Sequence, residues 1–211
     1  MERGQSLHPM RKAGQTGNKF LRGALQKEPD RLCDGQRRAE EQEDLLQMRF
    51  EKVQQHFFEK NSVKCGMKTP YLITEAYERV KIPERKTKGS AAYDFVTPYG
   101  FQLFPRERVT IPTGIKAIME NGEVLIMAVR SSVGIRDGVL FSNGIGVIDS
   151  DYADNEQTGG DIHLALWNTS GKAVAYDAGE RLAQGFFVKF DTTEDDNASG
   201  ERTGGFGSTG K

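Results

Sequence analysis

Cysteine is nearly absent from the chain: Cys33 and Cys65 are the only two in 211 residues. Two thiols build no disulfide framework, and no Cys/His cluster has zinc spacing. Long apolar runs are missing too; none approaches the roughly 18 residues that a membrane-spanning helix requires. Neither sign of charge dominates, with 29 basic and 30 acidic residues. Bulk charge therefore points to no nucleic-acid and no membrane partner. The basic first 27 residues lack the apolar core of a secretory signal and are poor in serine. A reducing, intracellular setting is expected, with an organelle-targeting N-terminus as the alternative.

What is present divides at about residue 66. Residues 1–66 hold 13 basic and 10 acidic residues, while residues 67–211 hold 16 and 20. The low periodicity of residues 1–27 predicts disorder. Leu46, Phe50, Val53 and Phe57 step by 4, 3 and 4, which predicts one amphipathic helix over about 36–60. On this reading residues 1–66 are a dispensable extension of unknown partner, and Met67 could serve as an alternative start. The domain proper is expected at 67–201, with a glycine-rich tail at 202–211.

The domain reads as β throughout. Candidate strands are 71–76, 92–97, 101–103, 108–112, 115–119, 123–129, 138–141, 146–148, 162–168, 172–176 and 182–190. Short strands separated by Gly, Pro and Asp turns predict an all-β sandwich or barrel rather than α/β.

One stretch organises the rest: Asn143-Gly-Ile-Gly-Val-Ile-Asp-Ser-Asp-Tyr152. Its β-branched residues favour extended backbone. Gly144 and Gly146 let another group approach the main chain closely. Period-two alternation would put Asp149 and Asp151 on one face. Asp149 offers a general base for water, or a contact to magnesium through water. Arg130, Ser131 and Ser132 end an apolar strand with a cation and two hydroxyls, a set that grips phosphate. Arg181 offers a structural ion pair and Gln184 a phosphate donor. Gly204, Gly205, Gly207 and Ser208 form a backbone able to wrap an anion, and Phe206 among them could stack on a base. A polyphosphate grip, a base-stacking ring and an acid for water together describe hydrolysis of a nucleoside triphosphate.

Five segments in order resemble the homotrimeric dUTP diphosphatases (dUTPases): Ser90-Ala-Ala-Tyr-Asp94, Arg130-Ser-Ser132, Gly146 to Tyr152, Gly179-Glu-Arg-Leu-Ala-Gln184, and Arg202 to Gly210. The resemblance spans Pro70 to Lys211. It implies a jelly-roll-like (β-clip) fold, a homotrimer whose sites draw on all three chains, and a tail that closes a neighbour's site. It implies Mg²⁺-dependent conversion of dUTP to dUMP and pyrophosphate, which keeps uracil out of DNA and supplies dUMP for dTMP synthesis. Asp149 would activate water. Ser131 would meet the oxygen bridging the α- and β-phosphates. Arg130, Ser132, Gln184 and Arg202 would serve the phosphates, with Asp94 ordering the site. Asn143, Gly146, Val147 and Ile148 would read the uracil edge. Tyr152 would underlie the deoxyribose, and Phe206 would cover the base. Magnesium would be held by phosphates and water, with no direct protein ligand.

The chain departs from the family pattern in four places. Ser132 and Ala92 stand where glycine is usual, and the fifth segment is one residue short between Arg202 and Gly204. Residues 153–160 exceed the family's usual short turn, and their acidic, glycine-rich composition predicts a mobile loop beside the pocket. A related deaminase of dCTP would carry a catalytic glutamate where this chain has Ala165. A dUTPase-like regulatory binding protein is the other alternative.

Overall fold

The computed structural model describes residues 48–67, 69–200 and 202. The described residues fall within the compact unit Leu46–Lys211. The described strands pair antiparallel throughout. β2 (Tyr93–Val96), β11 (Arg181–Lys189), β6 (Glu123–Val129) and β8 (Gly146–Asp149) form a four-stranded sheet in that order. β4 (Arg108–Pro112), β9 (His163–Asn168) and β7 (Val139–Phe141) form a three-stranded one. β1 (Arg49–Lys52) pairs with β5 (Ile115–Ile118), and β3 (Phe101–Leu103) with β10 (Val174–Tyr176).

Alternation sets which side chains reach the core. Along β9, Leu164, Leu166 and Asn168 are buried while His163, Ala165 and Trp167 are half-buried, the period-two signature of a strand with two different faces. Phe95, Leu103, Ile111, Leu125, Met127, Ile162 and Leu182 complete the centre. Each fully buried side chain of this size contributes roughly 1.5–3 kcal/mol.

The N-terminal boundary differs from the sequence expectation. There is no helix over 48–54: Arg49–Lys52 is a strand, and helix α1 runs Gln55–Lys64. The 4-3-4 apolar stripe is shared by strand and helix, because each buries its own share of it. Phe50 enters an aromatic cluster with Tyr93, Phe95 and Phe187 at centroid distances of 5.2–5.3 Å. Val53 and Phe58 are buried in the same core. The core therefore begins before residue 67, and residues 48–66 belong to the domain. Residues 1–47 lie outside the described residues, as do the rest of the predicted 36–60 helix and Leu46.

The strand expected at 71–76 is instead a helix, α2 (Pro70–Glu78). Pro70 stands at its first turn, where a fixed φ and a missing N–H cost nothing. Ile73, Ala76 and Val80 then fall buried on one side. The other expected strands are present with ends shifted by one or two residues. Where β4 turns into β5, Gly114 has φ +71°, and a Cβ there would lie 2.6 Å from Val80 Cγ2. Only glycine fits a left-handed turn pressed this closely against α2's exit.

Candidate active site

β8 lies along β6 in the register Val124↔Asp149, Leu125↔Ile148, Ile126↔Val147, Met127↔Gly146. A Cβ on Gly146 would sit 3.1 Å from Met127 Cβ, so its bare backbone lets β8 settle flat against β6. Gly144, at φ +83°, makes the turn before it. The result is a cavity of about 210 Å³ lined by Asn143, Gly146, Val147, Ile148, Asp149 and Tyr152 on the segment singled out from sequence. Met127, Phe141, His163, Ala165 and Arg202 complete the lining.

Asp149 ends β8, and Ser150–Tyr152 coil into a 3₁₀ turn. Asp149 and Asp151 thus do not share a face through strand alternation as expected. The turn nevertheless brings both carboxylates to one guanidinium: Arg202 donates through Nη2 to Asp149 Oδ2 and through Nε to Asp151 Oδ1 at 2.7 Å. Both acids stay about half exposed, so the carboxylate of Asp149 reaches water in the cavity. Ion pairs with this exposure hold about 0–1 kcal/mol and are readily exchanged. The Tyr152 hydroxyl donates to the Asp161 carbonyl at 2.9 Å. Burial pushes the Tyr152 phenol above its usual range, which keeps it a neutral donor.

The phosphate-directed residues form a second group. Asp94 on β2 accepts from Arg181 Nη1 at 2.9 Å and pairs with Arg130 Nε at 3.1 Å. Both arginines therefore brace one acid that is 12% exposed, which fixes Arg130 at the end of β6. Gln184 stands opposite both Asp94 and Ala128 in the ladder. Ser131 leads into a π-helical turn, Ser132–Arg136, held by the Val133 and Gly134 amides donating to the Arg130 carbonyl at 2.9 Å. Ser132 in place of glycine meets no backbone conflict, since Arg106 is the only described non-glycine with positive φ.

The two groups are apart. Arg130 follows β6 at one end, and Asp149 pairs with Val124 near the other. Six residues of strand at about 3.4 Å each separate the levels by roughly 20 Å. Phe206, Gly204, Gly205, Gly207 and Ser208 lie outside the described residues.

Four lining residues escaped the sequence reading. Met127 and Phe141 entered there only within the candidate strands 123–129 and 138–141. Ala165 entered only as the place of a missing glutamate, and here it faces the cavity. His163 carried a usable signal: a polar residue opening an alternating apolar strand, on the face opposite Leu164. In the 153–160 segment, expected as a mobile loop, one side chain gathers the backbone around it. Asn155 Oδ1 accepts from the Gln157 and Thr158 amides and from Thr158 Oγ1, each at 3.1 Å. Ala153 and Asn155 are buried.

The dUTPase family model matches residues 78–210. The deoxyuridine 5'-triphosphate nucleotidohydrolase of Lactococcus lactis is 41% identical over 133 residues, covering 62% of this chain and 89% of that protein. The crystal structure of dUTPase from Streptococcus mutans is similar, with 36% identity and a TM-score of 0.52, over 56% of this chain and 91% of that one. A phage phi11 dUTPase of Staphylococcus aureus, in which a structural Mg(II) ion is coordinated, shares the fold at 18% identity and a TM-score of 0.52, over 73% of this chain and 97% of that one. With an antiparallel β domain, a backbone-lined pocket ending on an acid, and a family match across more than half its length, the chain belongs to the dUTPase family.

Proposed function

We propose that the protein hydrolyses dUTP to dUMP and pyrophosphate at three sites, each shared between subunits of a homotrimer. The observation that carries this reading is the placement of Asp149 on a pocket walled by the main chain of residues 146–148, with Arg130 and Ser131 roughly 20 Å away along β6. A dUTP molecule cannot bridge that gap within one chain. A second subunit must bring its Arg130, Ser131 and Gln184 to the first subunit's Asp149, as closed symmetric assemblies allow.

Uracil enters the pocket edge-on, and its polar edge meets Asn143 and the peptide groups of 146–148. Flat backbone at Gly146 leaves no room for a 5-methyl group. Tyr152 lies under the deoxyribose. Asp149 takes a proton from the water that attacks the α-phosphorus. The bond from that phosphorus to the oxygen bridging to the β-phosphate breaks, and pyrophosphate carries off the electron pair. Charge building on the bridging oxygen is met by the Ser131 hydroxyl, a donor worth about 10²–10³ in rate when preorganised. Arg202 leaves its exposed acids for the triphosphate, a stronger anion.

Asp149 and Asp151, both about half exposed, suit outer contacts through water to a Mg²⁺ held by the phosphates. The ion would neutralise the polyphosphate. The deaminase alternative fails at Ala165, whose methyl faces the cavity and moves no proton. The test is pyrophosphate release from dUTP, dCTP, dTTP and UTP in parallel. Release from dUTP alone supports the proposal, and ammonia from dCTP instead would overturn it.

A further inference from the structure

The sugar side of the pocket is braced by a helix that the family match does not include. The Tyr152 hydroxyl rests on the Asp161 carbonyl. Asp161 is itself fully buried. Its Oδ1 accepts the Gly114 amide at 2.8 Å, and its Oδ2 accepts Asn61 Nδ2 at 3.0 Å and lies 3.5 Å from His163 Nε2. Tyr152 and His163 both line the pocket, so this one buried acid sits directly behind two of its walls. A buried carboxylate is held in place by the donors around it, and losing one is costly.

Asn61 stands on α1, outside the matched 78–210 stretch. It is fully buried, and its amide nitrogen also donates to the Thr158 carbonyl at 3.1 Å. One helical turn earlier, Phe57 presses on the same segment. A Cβ on Gly159 would lie 2.4 Å from Phe57 Cδ2, and Gly159 has φ +66°. α1 therefore grips residues 158–161 at two points immediately behind Tyr152.

We propose that Asn61 is a positioning residue for nucleotide selection: through Asp161 it sets the height of the Tyr152 ring, and so excludes a 2′-hydroxyl. The proposal rests on the reading of this pocket as a dUTP site. It assigns the helix, which lies outside the 78–210 stretch, a role in choosing deoxyribose over ribose.

The experiment compares kcat and KM for dUTP and UTP in the full chain, Asn61→Ala, Tyr152→Phe and the double variant, with thermal melts alongside. Asn61→Ala is expected to lower the dUTP-over-UTP ratio of kcat/KM by about tenfold, the scale on which a pocket wall discriminates one small group. Its kcat for dUTP stays within about threefold, because Asp149 is untouched. Tyr152→Phe cuts the same chain of contacts, so the double variant should be little worse than the stronger single one. A purely structural Asn61 would lower stability and both substrates' rates together, leaving the ratio unchanged. An unchanged ratio, or fully additive losses, overturns the proposal. Should Asn61→Ala fail to fold, Asn61→Ser, which retains a donor, is read by the same criteria and expected to give a smaller loss of ratio. A wild-type chain inert towards dUTP would overturn the dUTP reading and this proposal together, whereas an active wild type with an unchanged ratio would overturn only the proposal.

Discussion

Removing residues 1–66 should unfold the domain rather than trim an ornament. Val53 and Phe58 are at least 98% buried, and Phe50 packs edge-on against Phe95. Their burial contributes roughly 5–7 kcal/mol by area, an upper figure because unfolded chains already hide some surface. The deletion also strips β5 of its only described partner strand, four register pairs long. It takes the Asn61 donor from Asp161 as well. A domain of this size has about 5–15 kcal/mol in total. Purified 67–211 should therefore aggregate, or melt roughly 10–20 °C below a chain starting at residue 46. Circular dichroism melts and gel filtration read the difference, and dUTP turnover follows it. A soluble 67–211 fragment with the longer chain's melting temperature and rate would refute the reasoning. Phe58→Ala offers a gentler check, at about 3–5 kcal/mol.

Other outcomes are as specific. Asp149→Asn should leave KM for dUTP close to wild type while kcat falls by about 10²–10⁴-fold; an unaltered kcat contradicts the water-activating role. Truncation before Arg202 should remove most turnover yet leave the melting temperature nearly unchanged, since the acids it pairs with, Asp149 and Asp151, are about half exposed. Burial pushes the Cys65 thiol up to about 11. The neutral form is thus favoured on folding, and this contribution fades as pH rises from about 9 towards 11. In a Cys33→Ser background, iodoacetamide at pH 8 should label Cys65 about 100-fold more slowly than free cysteine. Equal rates would show an open thiol.

The β domain was legible because its strands alternate and its turns carry Gly, Pro and Asp. The pocket was legible where its lining sits in nearly contiguous residues, as at 143–152. Two things were not. Helix α1 hid in an apolar stripe that crosses a strand–helix junction, since 4-3-4 spacing cannot say where one period hands over to another. Helix α2 hid because Tyr71 to Ala76 is rich in residues that suit either element, and the deciding signal was Pro70 at its start. Met127, His163 and Ala165 are brought to the pocket by strand pairing between distant segments. No spacing along the chain encodes that meeting.

The length of β6 has a genetic consequence. If water activation and phosphate grip come from different subunits, then two dead proteins can make a live one. Mixing Asp149→Asn chains with Ser131→Ala chains, followed by unfolding and reassembly, should create junctions where each contributes its intact half. Random assortment at equal amounts makes about one site in four whole, so roughly a quarter of wild-type activity should return from a mixture whose components have none.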